Sequence, residues 1–184
     1  MLKRLYEGWV YGGFLAGILL LVLLPAMSLL WAPSLVAVFL CLPIYMLHQY
    51  EEHDNDRFRI FVNTAMGRGK EVLSPRAVFI VNVPDVWGVI AVSFTLADVV
   101  NLGAGLIAVY LVLVNGIVHI LHAVIFRKYN PGLVTAIVLF LPLSAYALQT
   151  IQRAGGGATE MHITGLLIAL AIHAALVLYA NRRL

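Results

Sequence analysis

The stretch 34–53, SLVAVFLCLPIYMLHQYEEH, joins an apolar run to a cluster of ionisable side chains. The run is long enough to cross about 30 Å of hydrocarbon as a helix. Four ionisable residues, His48, Glu51, Glu52 and His53, are packed against its end. Elsewhere in the first two thirds of the chain, charge is mostly confined to short connections. The stretch therefore predicts a membrane helix that carries a polar site at one end.

The composition extends that prediction to the whole chain. Of its 184 residues, 62% are hydrophobic and 11% are charged, and the mean hydropathy is +0.94. A soluble domain carries about 25% charged residues, so this composition excludes an ordinary soluble protein. The first apolar run is too long for the hydrophobic region of a cleavable signal peptide and is predicted to remain as a span. A single cysteine, Cys41, rules out an internal disulfide.

Six apolar segments are long enough to cross a membrane as helices. They lie at 9–31, 34–50, 77–97, 102–126, 133–152 and 163–180. Most connections are short, which predicts that sequential helices are antiparallel neighbours. The expected fold is therefore all-α, a polytopic membrane protein with one bundle of six transmembrane helices. We expect that bundle to form a single domain over residues 1–184.

The connection 51–76 differs from the others because it is long and polar. Within it, Phe58, Phe61, Val62 and Ala65 follow the spacing i, i+3, i+4 and i+7. Arginines flank these positions. This pattern predicts a short amphipathic helix that lies in the membrane interface after the second span.

The distribution of basic residues predicts the orientation of the bundle. With six spans, the termini and the second and fourth connections share one side, which holds eleven of the twelve lysines and arginines. Only Arg153 lies on the other side. Positive charge accumulates on the cytoplasmic side of membrane proteins. We therefore expect a multi-pass protein of a prokaryotic cytoplasmic membrane, with both termini cytoplasmic.

The polar residues at the end of the second span share a helical face. His48 and Glu51 are spaced i, i+3, and His48 and Glu52 are spaced i, i+4. His53 is predicted to point elsewhere unless the helix unwinds there. A neutral imidazole and two carboxylates suit Zn, Fe or Mn. This face is therefore a candidate metal site.

Further polar residues lie inside three other spans. Asn115, His119 and His122 follow the spacing i, i+4 and i+7 in the fourth span. Asp85 in the third span and His173 in the sixth are predicted to lie at a depth similar to that of His119, roughly 12–14 Å from the cytoplasmic end. Ionisable groups inside a membrane usually face the bundle interior and mark function.

Structural roles remain open for several of these residues. A membrane histidine such as His173 can be a hydrogen-bonded packing residue. Asp85 can bond Asn82 or cap the helix break at Pro84. Glu51 and its acidic neighbours can balance nearby arginines in a solvated loop.

The convergence of histidines and carboxylates nevertheless favours a metal centre. Buried carboxylates are too costly without a cation or a proton. We expect one or two divalent ions, Zn or Fe. The candidate ligands are His48, Glu51, Glu52, His119, His122 and His173. The candidate catalytic residues are Glu51, Glu52, Asp85 and Asn115.

Two motifs carry a family resemblance. The segment His48-Gln49-Tyr50-Glu51-Glu52 matches an HXXEE pattern, and Tyr129-Asn130-Pro131-Gly132 matches a Tyr-x-Pro-Gly pattern. Together they resemble the HXXEE-motif family of bacterial and archaeal membrane proteins, whose function is uncharacterised. The resemblance implies a further histidine in the pattern, for which His119 is the best match.

These features predict a metal-dependent membrane enzyme. A metal held by His48, one glutamate and His119 or His122 would leave a position for water and lower the pKa of that water. The second glutamate, Glu51 or Glu52, would act as general base. We expect a hydrolase that acts on a lipid or lipid-linked substrate, with membrane lipid and not nucleic acid as its partner.

Three different functions could use the same polar residues. Two carboxylates and several histidines can hold two irons and support an oxidation. Asp85, His119 and His173 can form a path for protons or other ions in a transporter. Two histidines from different spans can also hold a haem.

Overall fold

The computed structural model describes residues 2–184. Helices make up 84% of the structure, and the described residues contain no strand. Six helices are long and apolar enough to cross a membrane: Lys3–Met27, Pro33–Ala65, Pro75–Val99, Leu102–Phe126, Leu133–Arg153 and Thr159–Asn181. We call these the first to sixth spans. The prediction of an all-helical protein with six apolar helices is confirmed.

Three of the spans are composite. The second consists of Pro33–His53, a 3-10 turn Asp54–Asp56 and a helix Arg57–Ala65. The third consists of Pro75–Ile80, a π-helical segment Val81–Trp87 and Gly88–Val99. The fifth consists of Leu133–Thr135, a π-helical segment Ala136–Phe140 and Leu141–Arg153.

The remaining spans are simpler. The first is the helix Leu2–Met27, and the sixth is the helix Thr159–Asn181. The fourth begins with a 3-10 turn at Leu102–Gly105 and continues as the helix Leu106–Phe126.

Proline explains both π-helical segments. Pro84 lies inside Val81–Trp87, and Pro142 follows shortly after Ala136–Phe140. Proline has no backbone N–H and removes one rung of the helical hydrogen-bond ladder. A local change from α-helical to π-helical turns accommodates the missing hydrogen bond. The third and fifth spans therefore deviate from regular helices next to the polar centre of the bundle.

The second span is the centre of the bundle. It packs against the first, third, fourth and fifth spans, whereas the sixth span packs mainly along the fourth. The second and fourth spans are the most buried of the six. Residues of these two spans therefore meet in the interior of the bundle.

The helix Arg57–Ala65 occupies the position predicted for a short amphipathic helix. Its Val62 is buried in an apolar cluster with Val72, Leu73 and Val78. The helix therefore closes one end of the bundle. We call this the basic end, because it also carries Arg127, Lys128 and the C-terminal arginines.

A cysteine-labelling experiment tests the orientation. Cys41 is fully buried, so a small replacement is suitable there. The Cys41→Ala protein contains no other cysteine and serves as the background for labelling. Lys128 lies at the basic end and Ala158 at the opposite end, and both are exposed. In intact cells, a membrane-impermeant maleimide should label Ala158→Cys. Lys128→Cys should react only after the cells are permeabilised, and the reverse pattern would refute a cytoplasmic basic end.

Candidate metal centre

The carboxylate of Glu52 lies among imidazole rings in the interior of the bundle. Nε2 of His48 is 3.6 Å from one carboxylate oxygen, and Nε2 of His119 is 3.4 Å from the other. All three side chains are buried. Each offers one ligand atom, and these atoms lie within 4.8 Å of one another. The second and fourth spans thus bring together three of the six predicted ligands.

The ring of His119 is held by Asn130. The Asn130 side-chain nitrogen donates to the carbonyl oxygen of His119 at 2.9 Å, which fixes the orientation of the amide. Its oxygen then lies 2.6 Å from Nδ1 of His119 and accepts a hydrogen bond from it. With the proton on Nδ1, the lone pair of Nε2 is free and points towards Glu52. Metal-binding histidines are oriented in this way.

The ring of His48 is held by Thr135 in the fifth span. The hydroxyl of Thr135 donates to the carboxylate of Glu51 at 2.5 Å. The same hydroxyl oxygen lies 2.8 Å from Nδ1 of His48, so it accepts a hydrogen bond from that nitrogen. Nε2 of His48 is buried and has no hydrogen-bond partner among the described residues. Both histidines therefore direct an unprotonated Nε2 towards the carboxylate of Glu52.

Glu51 does not join this group of three ligand residues. Its carboxylate accepts four hydrogen bonds. Two come from the hydroxyl groups of Tyr129, at 2.7 Å, and Thr135. The other two come from the backbone N–H groups of Val134, at 3.2 Å, and Thr135, at 2.7 Å. It thus caps the first turn of the fifth span, where a negative charge is favourable. Burial and the Glu51 carboxylate raise the pKa of Tyr129 to about 12. The structure gives Glu51 a positioning role towards His48 through Thr135.

Gly132 lies against both imidazoles. Its backbone has a φ of 97°, which favours glycine. A Cβ atom at this position would lie 2.6 Å from Cε1 of His119 and 2.8 Å from Cε1 of His48. The glycine of the Tyr-x-Pro-Gly motif is therefore required for a sterically close approach to both rings.

His53 contacts the same carboxylate, contrary to the prediction for a continuous helix. The helix Pro33–His53 ends at this residue, which has a φ of −113° and a ψ of −3°. Nε2 of His53 lies 3.1 Å from an oxygen of Glu52, and the ring packs against Trp9. The helix end turns the side chain back towards Glu52, so the carboxylate has three imidazole neighbours.

A cavity of about 130 Å³ adjoins Glu52 and His119. His122, His173 and Asn115 line it, together with mostly apolar side chains. Nδ1 of His122 is buried without a hydrogen-bond partner among residues 2–184. Nδ1 of His173 lies 2.8 Å from the carbonyl oxygen of Ala169 and donates to it. These predicted site residues face the cavity beside the cluster of His48, Glu52 and His119.

Asn115, which also lines the cavity, and Asp85 have different surroundings from each other. The amide of Asn115 donates to the hydroxyl of Tyr45. Asp85 lies on the π-helical segment of the third span and lines a separate groove towards the sixth span. Asn82 bonds Gln49 and the carbonyl of Val78, and not Asp85. Asp85 and His119 were predicted to lie at similar depth, but they line different spaces of the bundle.

The distances in the cluster fit a metal ion better than a shared proton. Charge-assisted hydrogen bonds between N and O are about 2.7–2.9 Å long, shorter than the 3.4 and 3.6 Å found here. Ligand atoms about 2.0–2.2 Å from a tetrahedral Zn²⁺ lie about 3.4 Å from one another. Two bare nitrogens and a carboxylate also repel each other unless a cation lies between them. The geometry of His48, Glu52 and His119 therefore suits the binding of a divalent ion.

The comparison with protein families bears on the same residues. A family model described as "Protein of unknown function with HXXEE motif" matches residues 39–147. This chain belongs to the HXXEE-motif family. The match contains His48, Glu52 and His119 together with the segment 129–135 that holds them. No curated protein and no solved structure was found to be similar to this HXXEE-motif protein.

Sequence reasoning missed Thr135 and Asn130 as parts of the site. Asn130 lies inside the Tyr-x-Pro-Gly match, and that motif was the available signal for it. Thr135 is one of several hydroxyl-bearing residues in the mostly apolar fifth span, and nothing in the sequence indicates its contact with His48. Both residues are close to the ligands only because the connection 127–132 folds over the end of the second span.

Replacement of Thr135 tests the positioning of His48. Thr135→Val keeps the shape of the side chain but removes the hydroxyl that bonds Nδ1 of His48. Loss of such a partner typically lowers metal affinity about 10–100-fold. We expect that loss in a competition titration with a chromogenic chelator, carried out on purified protein in detergent.

Thr135→Ser is the matched control because it retains the hydroxyl. It should bind metal with an affinity close to that of the wild type. Equal affinities for the valine and serine variants would contradict the proposed role of Thr135.

Proposed function

We propose that this chain is a metal-dependent membrane enzyme, a hydrolase that acts on a lipid or lipid-linked substrate. The observation that carries the proposal is the convergence of two bare imidazole nitrogens on the buried carboxylate of Glu52. In this proposal the site opens towards the cytoplasmic side of the membrane, at the basic end of the bundle.

Two imidazoles and one carboxylate are a ligand set found in catalytic zinc sites, which keep one further position for water or substrate. When bound by His48, Glu52 and His119, a divalent ion would lower the pKa of a water molecule and polarise a substrate carbonyl or phosphoryl group. The chain itself supplies three ligands and the hydrogen bonds that orient them. This arrangement supports hydrolysis more directly than di-iron oxidation, ion transport or haem binding.

The protein residues around the cavity suit the remaining steps. The apolar walls exclude bulk water and can contact hydrocarbon. His122 faces the cavity with an unpartnered Nδ1, so it can accept a proton during attack on the substrate. We propose His122 for this step instead of Glu51, because the carboxylate of Glu51 already accepts four hydrogen bonds.

Elemental analysis tests the proposal. Protein purified in mild detergent without chelator should contain about one divalent ion per chain. Glu52→Gln and His119→Ala should each lose most of this metal, since each variant removes one of three ligands. Wild-type protein without Zn, Fe or Mn would contradict the proposal.

His162→Ala serves as the histidine control. His162 lies at the opposite end of the bundle, where Nδ1 is 2.9 Å from the hydroxyl of Tyr110. This variant should keep the metal content of the wild type. Two irons per chain would favour a di-iron oxidoreductase, and a mononuclear zinc site would favour the hydrolase.

A product assay tests the reaction class. Wild-type protein incubated with a total lipid extract should release new hydrolysis products, detected by mass spectrometry of the lipids. Glu52→Gln should release none above background. Identical product profiles for the two proteins would contradict hydrolysis at this site.

A further inference from the structure

A groove lies between the third and sixth spans at the basic end. Its volume is about 400 Å³. One wall comes from residues 74–85 of the chain and the other from residues 172–183. Its lining includes the exposed residues Arg76, Ile80, Ala175 and Arg183, so the groove is open to the surroundings of the bundle.

The two ends of the groove differ in charge. Arg76 and Arg183 line it at the basic end, and both are exposed. Neither forms an ion pair within residues 2–184. Arg183 lies over the ring of Tyr179, 4.5 Å from its centroid. The acidic residue of the groove, Asp85, follows Arg76 by nine residues and lies on the π-helical segment, deeper in the same span.

This separation of charge favours the binding of an anion at the basic end of the groove. Arg76 and Arg183 can both contact a phosphate, for which the guanidinium group is well suited. Asp85 is too distant to neutralise Arg76 and repels an anion that moves deeper. A negatively charged headgroup is therefore favoured at the basic end, and the remainder of the groove is left for another part of the ligand.

The middle of the groove is apolar and adjoins the cavity of the metal centre. Val81, Ile172 and Leu176 line both the groove and the cavity that contains Glu52 and His119. Three side chains thus form the partition between the two spaces. A hydrocarbon chain in the groove would lie directly beside the candidate metal centre.

We propose that this groove binds an anionic phospholipid beside the candidate metal centre. The arginines hold the phosphate, and the apolar middle of the groove holds hydrocarbon. A small soluble anion would leave the apolar part unused, and an uncharged lipid would leave the arginines unused. The substrate role of this lipid rests on the proposed function, whereas its binding requires no metal.

Native mass spectrometry of the detergent-purified chain tests the binding. The probes are phosphatidylglycerol, which is anionic, and phosphatidylcholine, which is zwitterionic, with matched acyl chains. The wild type should retain several-fold more phosphatidylglycerol than phosphatidylcholine. The double variant Arg76→Gln/Arg183→Gln should reduce the retained phosphatidylglycerol to the level of phosphatidylcholine.

A matched charge control separates the groove from general attraction to the basic end. Arg127→Gln/Lys128→Gln removes the same charge from an exposed connection at that end, and neither residue lines the groove. This variant should keep the preference of the wild type. Equal retention of the two lipids by the wild type, or an equal loss in both double variants, would overturn the proposal.

Replacement of two alanines on the sixth span tests whether the space in the groove is needed for lipid binding. Ala175 lines the groove, whereas its exposed neighbour Ala174 does not. Ala175→Trp should fill the groove and abolish the preference for phosphatidylglycerol, and Ala174→Trp should leave it unchanged. Identical binding by the two tryptophan variants would contradict the assignment of the site.

Metal content distinguishes failure of this inference from failure of the proposed function. Glu52→Gln should lose metal but still prefer phosphatidylglycerol, because the groove does not include Glu52. Ala175→Trp should keep its metal while it loses the lipid. A wild-type protein that binds metal but shows no lipid preference refutes the groove alone.

Discussion

The buried carboxylate of Glu52 imposes the constraint on which the rest of the structure depends. An ionised carboxylate away from water is strongly unfavourable unless a cation or hydrogen-bond donors compensate it. Its closest side-chain neighbours include two imidazole nitrogens whose protons are directed elsewhere, to Asn130 and Thr135. A cation between these atoms would supply the compensation, and His53 lies 3.1 Å from the same carboxylate. A metal ion bound here would satisfy the carboxylate and both nitrogens at once.

The stretch 48–52 organises the bundle as well as the site. Successive residues of one helical end point in different directions, so together they reach four neighbouring spans. The partners are Phe14 in the first span, Trp87 in the third, His119 in the fourth and Thr135 in the fifth. The same five residues therefore fix the arrangement of four spans around the second. This dual role explains why the HXXEE motif is contiguous while its partners are scattered along the chain.

The sequence predicted the parts that depend on composition and helical spacing. Apolar run lengths indicated six spans, and the i, i+4 spacing of His48 and Glu52 placed them on one face. The contacts of Thr135 and Asn130 were not predictable, because they depend on how the connection 127–132 folds over the second span. His53 joined the carboxylate because the helix ends there. Residue counts indicated the depth of Asp85 but not the direction in which its helix faces.

The groove lies beside the cavity of the candidate metal centre, and Val81, Ile172 and Leu176 line both spaces. The central claim of this account is the identity of the three ligands. X-ray absorption spectroscopy at the edge of the bound metal tests it most directly. We predict scattering from two imidazoles and a carboxylate oxygen, with one imidazole lost in His119→Ala. A wild-type spectrum with fewer than two imidazoles, or one unchanged in His119→Ala, would contradict the account.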